Sequence, residues 1–273
     1  MRVDRLPFEE LPEATRRAIA DRVGEDCPRA EVENGTSSAL ASLFWPAPPS
    51  NPEMVFIKGL PLGHDRIGEL RAEAAVNPYL PPSAPKVLWQ EEAGGWFLVC
   101  FEGANASAWA WFRDGSDHLE PVAAVLRELS QCRAPREIRL TPWERWGEYC
   151  HPGDEPLLTG DQLVHSDPAA SNFMIGRGGH VWMIDWAWAM RGPAWIDTAL
   201  WGMRLVLDGK QTPEQAAVWA RSIPAFAAAP REAVVVLTEA EARSWEAWQA
   251  YGMAGLEETI TAARAWAGYW ASP

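Results

Sequence analysis

The residues best suited to chemistry lie close together. They are His165-Ser166-Asp167-Pro168-Ala169-Ala170-Ser171-Asn172, followed by Val181-Trp182-Met183-Ile184-Asp185-Trp186. Two carboxylates and one amide stand here at the spacing that phosphoryl transfer uses. A carboxylate beside a bound hydroxyl can orient it and accept its proton, which is the part that suits Asp167. Carboxylate and amide oxygens suit a hard cation such as magnesium, which is the part that suits Asn172 and Asp185. Each residue also has a plainer reading: Asp167 can close an Asx-turn before Pro168, Asn172 can be a turn residue, and Asp185 can cap a strand. Their order and spacing as a set favour the chemical reading.

The pattern H-x-D-x-x-x-x-N, with a further Asp after a short apolar run, resembles the aminoglycoside phosphotransferase family, the small-molecule branch of the protein-kinase-like fold. That family usually writes the loop H-G-D-x-x-x-x-N and the later motif I-D-F or I-D-W. Here Ser166 stands at the Gly position, and the later motif reads Ile184-Asp185-Trp186. Glycine alone tolerates every φ region, so Ser166 alters the freedom of the loop backbone. Gly192-Pro193-Ala194-Trp195-Ile196-Asp197-Thr198-Ala199 is similar to the family's G-D-P-A-x-D-L-A. The resemblance runs from Asn34 to about Leu205 and is strongest from Val164 to Leu200.

The resemblance implies an α+β, bilobal fold. Residues 1–102 would form a small sheet-containing N-lobe that binds nucleotide, and residues 103–273 a larger, mainly helical C-lobe for catalysis and substrate. It implies magnesium as cofactor, ATP or GTP as phosphoryl donor, and a small hydroxylated acceptor. The acceptor classes are an aminoglycoside, another antibiotic (antibiotic resistance by phosphorylation), or a small metabolite such as choline. In this family the position of His165 is structural, shaping the loop. Asp197 is similar to the family's buried Asp that receives loop N–H groups, and it also reads simply as an acid at a helix N-terminus.

Lys58 ends the apolar run Met54-Val55-Phe56-Ile57 and is one of three lysines in the chain. A lysine there, followed by an acid-bearing helix, suits a phosphate-binding ammonium held by a glutamate. Glu73 is the preferred partner, because Leu70-Arg71-Ala72-Glu73-Ala74-Ala75 is similar to the family's helix; Glu69 lies one turn earlier on the same face. Gly35, Thr36 and Ser37, within Asn34-Gly35-Thr36-Ser37-Ser38, could bring backbone N–H groups close to phosphate oxygens. An ordinary hairpin turn explains them nearly as well. A second reading of the whole chain stays open, a nucleotide-binding regulatory module (a pseudokinase) with little transfer activity.

These residues must be held by a framework. Strand-like segments at 39–45, 54–58, 86–89 and 96–101 precede a mainly helical remainder, an α+β order. Helical patterns run from 65 to 76, 119 to 131, 213 to 227 and 239 to 270, the last broken near Gly252 or Gly255. The short apolar runs before and after Gly176-Arg177-Gly178-Gly179 predict a hairpin presenting Asn172 and Asp185.

Composition narrows the remaining possibilities. The 273 residues carry a formal net charge of −13. That disfavours a nucleic-acid partner and tilts weakly toward a cationic acceptor. The four cysteines are scattered with no C-x-x-C pair, so neither a zinc site nor a disulfide framework is expected. No apolar run is long enough to span a bilayer, and a cytoplasmic protein without a membrane partner is the expectation. Of 17 tryptophans, 12 fall between Trp143 and Trp270. Trp186, Trp188 and Trp195 follow Asp185 closely enough to approach a substrate. Acids such as Asp154, Glu155, Glu241 and Glu257 could meet its ammonium groups, although core packing and solvated surface are the commoner fates.

Overall fold

The computed structural model describes residues 3–32, 37–48 and 53–272. The chain forms two compact units. One comprises residues 1–106 together with 184–187, and the other comprises 107–183 and 188–273.

The first unit is built on α1 (Glu13–Val23), β1 (Arg29–Glu31), β2 (Leu40–Phe44), β3 (Val55–Pro61), α2 (Ile67–Val76), β4 (Val87–Ala93) and β5 (Trp96–Glu102). The strands make one sheet in the order β1-β2-β3-β5-β4, and all its neighbours are antiparallel. β5 is inside the sheet, and its run Trp96-Phe97-Leu98-Val99-Cys100-Phe101 is buried along its length, as an apolar strand covered on both faces should be. β4 is an edge strand and alternates instead, with Leu88, Gln90 and Glu92 turned outward. Its hairpin to β5 turns on Gly94 and Gly95, both at positive φ. A two-residue loop matching the strand twist requires that backbone, which glycine supplies without strain. α2 packs on β3 and β5, so a side chain on its inner face can reach the middle of β3.

The second unit holds β6 (Ala106–Trp109), α3 (Leu119–Leu129), α4 (Pro142–Trp146), β7 (Gln162–Val164), β8 (Phe173–Gly176), β9 (Val181–Met183), β10 (Met190–Gly192), α5 (Ile196–Leu207), α6 (Pro213–Arg221), α7 (Pro224–Ala227), α8 (Arg231–Ala250) and α9 (Glu257–Ala271). β8 and β9 form the expected antiparallel hairpin, and β10 pairs with β7. α5 is the central helix, packed by α6, α8 and α9. Gly202 permits this, because a Cβ there would run into the Trp266 ring, whose indole N–H donates to Ala199 O at 2.9 Å. α4 and α6 each open on a threonine capping box, Thr141 with Glu144 and Thr212 with Gln215, and each has Pro at its first position.

Two expectations need correction. The helix expected from residue 239 begins at Arg231; the β-branched run Val234-Val235-Val236 hides it, and Val234 is buried against the other helices. The single helix expected over 213–227 is two, because Pro224 cannot continue the ladder of α6. Among the described residues, no helix is long and apolar enough to cross a membrane.

Candidate active site

In the first unit, Lys58 projects from β3 and Glu73 from α2. The Lys58 ammonium lies 2.8 Å from both carboxylate oxygens of Glu73. Glu69 is occupied elsewhere, gripping Arg66 at 2.9 and 3.0 Å from Nε. Asp185 belongs to the same unit and holds its Oδ1 3.5 Å from Lys58 Nζ. Burial opposes charge on Lys58, but Glu73 and Asp185 outweigh it and raise its pKa above the ordinary value. Lys58 is therefore a fixed cation.

Asp185 has a positive φ of 67°, unusual for a residue with a side chain. Its Oδ1 is buried and makes no hydrogen bond. A buried carboxylate oxygen at a strained position, with the Lys58 ammonium 3.5 Å away and no hydrogen bond, is suited to meet a cation.

In the second unit, the loop between β7 and β8 carries Asp167 and Asn172. Asn172 donates its side-chain amide to Asp167 O at 2.8 Å and to Asp167 Oδ2 at 3.0 Å. Its side-chain oxygen is of the hard type that a divalent cation takes. Arg204, on α5, donates to Asp167 Oδ1 at 2.8 Å. Desolvation pushes the Asp167 carboxyl up, but Arg204, then His165 and Arg145, outweigh it and hold the pKa below its ordinary value. The side chain still keeps 42% of its exposure, enough to meet an acceptor.

The front of the loop hangs on Asp197. Its carboxylate receives the backbone N–H groups of His165 at 2.8 Å and Ser166 at 2.7 Å. His165 is fully buried and accepts the Asp167 N–H on Nδ1 at 3.2 Å. It shapes the loop from inside.

Ser166 has φ 74°, the backbone conformation that glycine adopts freely. Its hydroxyl accepts from Arg145 at 2.7 Å and donates to Trp188 O at 2.9 Å. The loop thus keeps the turn that the Ser-for-Gly exchange puts in question, tied by bonds that a glycine could not make.

Gly35 and Thr36 lie outside the described residues, while Ser37 is described and half-buried. Trp186 and Trp195 are buried, and only Trp188 of the three following Asp185 is exposed. Glu241 is buried and receives the indole N–H groups of Trp146 and Trp245 at 2.5 and 2.8 Å, so it serves the core. Arg204 escaped notice in the sequence. With Asp197 and Asp208 it forms D-x6-R-x3-D, an i, i+7, i+11 spacing that places all three on one helix face, each within about 20° of the first. That periodicity was the available signal.

A cavity of about 680 Å3 in the second unit is lined by Arg221, Arg231, Tyr269 and Trp270 among others, and by none of these loop residues. It is not part of the candidate site. No group of three or more His, Cys, Asp or Glu side chains among the described residues is arranged to hold a metal alone. Magnesium bound to nucleotide draws much of its coordination from phosphate and water, and the Asp185 carboxylate in the first unit and the Asn172 amide oxygen in the second are each of the hard-oxygen type that such an ion takes.

The two clusters stand on a protein-kinase-like fold. No protein-family model matches the sequence, and no curated protein matches it. Solved structures do. A choline kinase from Streptococcus pneumoniae is similar over 95% of this chain and 99% of its own, at 12% identity and a TM-score of 0.60. A spectinomycin phosphotransferase, solved with ADP and its antibiotic, matches over 96% and 95% at 12% identity and a TM-score of 0.58. An ethanolamine kinase from Plasmodium vivax matches over 95% and 85% at 11% identity and a TM-score of 0.59.

Proposed function

We propose that this chain is a magnesium-dependent phosphotransferase that moves the γ-phosphate of ATP or GTP to a hydroxyl of a small molecule. The observation that carries the reading is the Lys58–Glu73–Asp185 cluster, a fixed cation held by Glu73 and ion-paired at 3.5 Å with a buried Asp185 oxygen that makes no hydrogen bond. Lys58 would neutralise nucleotide phosphate, with Glu73 holding it in place, and Ser37 with Gly35 and Thr36 would cover the phosphates. Asn172 and Asp185 would be the protein ligands of magnesium, which supplies charge neutralisation on the phosphates. Asp167 would align the acceptor hydroxyl and receive its proton. The kinase-like fold of enzymes named for choline, ethanolamine and spectinomycin supports a small acceptor.

We assign the acceptor to the cationic hydroxylated class. The net charge of −13 supports this. So does the exposed indole of Trp188, whose backbone carbonyl is tied to the catalytic loop through Ser166. Antibiotic resistance and small-metabolite phosphorylation both fall within that class, and the cytoplasm supplies the nucleotide.

The test is a matched acceptor screen with ATP and with GTP, read by the mass gain of one phosphate. Its arms are aminoglycosides, choline-like alcohols, neutral sugars or macrolides, and anionic hydroxy acids. Transfer to the first two, abolished in Asp185→Ala, supports the proposal. Transfer confined to neutral or anionic acceptors removes the cation preference. Nucleotide binding with no transfer to any arm replaces the enzyme with a regulatory module.

A further inference from the structure

One face of α5 holds the loop at three points. Near its start, Asp197 takes the N–H groups of His165 and Ser166. Two turns on, Arg204 takes the Asp167 carboxylate. Just past its end, Asp208 Oδ2 takes the Ala170 N–H at 3.3 Å. The first and third contacts fix loop backbone. Only the second fixes the side chain that would meet the acceptor.

Asp167 needs such a contact. A carboxylate turns about its χ angles, and on one side it has only the Asn172 amide, bound to Oδ2. Arg204 binds the other oxygen, Oδ1, so that both carboxylate oxygens are gripped and the carboxylate plane is set. Each oxygen keeps a lone pair for an incoming hydroxyl, since a carboxylate oxygen accepts two bonds. Arg204 is suited to hold this orientation because its side chain is itself confined, only 17% exposed, on a helix packed on several sides. Asp208 and Glu241 add opposite charge around its guanidinium, while its hydrogen bond goes to Asp167.

We propose that Arg204 is a positioning residue of the transfer reaction: it holds the Asp167 carboxylate in the orientation that receives the acceptor hydroxyl, and takes no part in nucleotide binding. The inference rests on the phosphotransferase reading and adds to it a residue that the loop motif does not contain. Misplacing a reacting group by about 1 Å costs on the order of 100-fold in rate. That is the effect expected when the grip is removed.

The experiment compares Arg204→Met, Arg204→Lys and Arg204→Gln with the wild type, using the best acceptor from the screen. Arg221→Met serves as a control, since that guanidinium lies over the Trp270 ring, away from the loop. Expected are a kcat for Arg204→Met lower by roughly 10²-fold, a nucleotide KM within about twofold of wild type, and substantial recovery in Arg204→Lys, which keeps the charge. The control should turn over normally. If Arg204→Met does not fold, the Lys and Gln variants carry the comparison, Gln falling well below Lys. An unchanged kcat, a loss falling mainly on nucleotide KM, or equal losses in Lys and Gln would overturn the proposal. A wild type inactive toward every acceptor would instead overturn the phosphotransferase reading on which it stands.

Discussion

The backbone N–H of Ser166 and the carboxylate of Asp197 meet at 2.7 Å, and the serine that makes this bond sits at φ 74°. The left-handed backbone costs a residue with a Cβ on the order of 1 kcal/mol. The Ser166 hydroxyl, bound to Arg145 and Trp188, offsets that cost. Ser166→Ala keeps the strain and loses both hydroxyl bonds, while Ser166→Gly loses the bonds and relieves the strain. The expected order of thermal stability is wild type, then Gly, then Ala, with Ala lower by about 1–3 kcal/mol. A fully stable Ser166→Ala in a calorimetric comparison would show that the hydroxyl bonds contribute nothing.

Asp167 is proposed to act on the acceptor and not on the nucleotide. Asp167→Asn should therefore keep nucleotide affinity, read by calorimetric titration. It should lose kcat by about 10²–10⁴-fold, the range for a general-base group. A comparable loss of nucleotide affinity would move Asp167 into the nucleotide site.

Breaking the Lys58–Glu73 pair leaves a buried ammonium with Asp185 as its remaining partner. Glu73→Ala should destabilise the fold by about 3 kcal/mol, the low end for one half of a buried pair, because Asp185 still faces the cation. It should also raise the nucleotide Kd. Urea unfolding and nucleotide titration on the same preparation check both. A stability loss with unaltered nucleotide affinity would make the pair purely structural.

Gly202 lies where α5 and α9 touch. Gly202→Ala places a methyl group against the buried Trp266 ring and should cost about 1–3 kcal/mol, the usual range for overpacking. The check is the shift in Tm. A raised Tm would mean that Trp266 yields freely.

Burial pushes the Cys100 thiol up to about 12 and that of Cys150 up to about 11. At pH 8 the Cys100 thiolate is then on the order of one part in ten thousand. Iodoacetamide should leave Cys100 unmodified in the native protein and alkylate it once urea is added, as peptide mass mapping would reveal. Rapid native alkylation would indicate that β5 opens readily.

The α+β plan is readable in the sequence because its signals are local: short apolar runs flanked by Pro and Gly first, amphipathic helical patterns later. Lys58 and Glu73 pair as the sequence suggests, although β3 runs on to Pro61 and Lys58 lies at its middle, because a strand and the helix that follows it leave few partners within reach. Arg204 is not readable in the same way. Its partner Asp167 lies 37 positions away, and an Arg in an apolar helix has no local mark of its target. The tryptophans follow the core packing expected of most of them, with Trp188 the exposed exception near Asp185. Composition counts them but does not say which face they occupy, and Trp186, Trp195, Trp201 and Trp266 all proved to be core. The Glu241 carboxylate is likewise spent on two indoles, Trp245 one turn along the same helix and Trp146 95 positions away, and the second pairing has no sequence signature.

Because α5 supports the loop from its start to its end, the H-x-D-x-x-x-x-N segment is not a portable part. Grafted onto another kinase-like scaffold, it would bring Asp167 without the guanidinium that holds it, and Ser166 without the carboxylate and guanidinium that tie down its turn. A working transplant would have to carry Asp197, Arg204 and Asp208 in register, together with Arg145. The smallest exchangeable piece of this protein is therefore the loop, the helix behind it and the α4 turn that carries Arg145, inherited together.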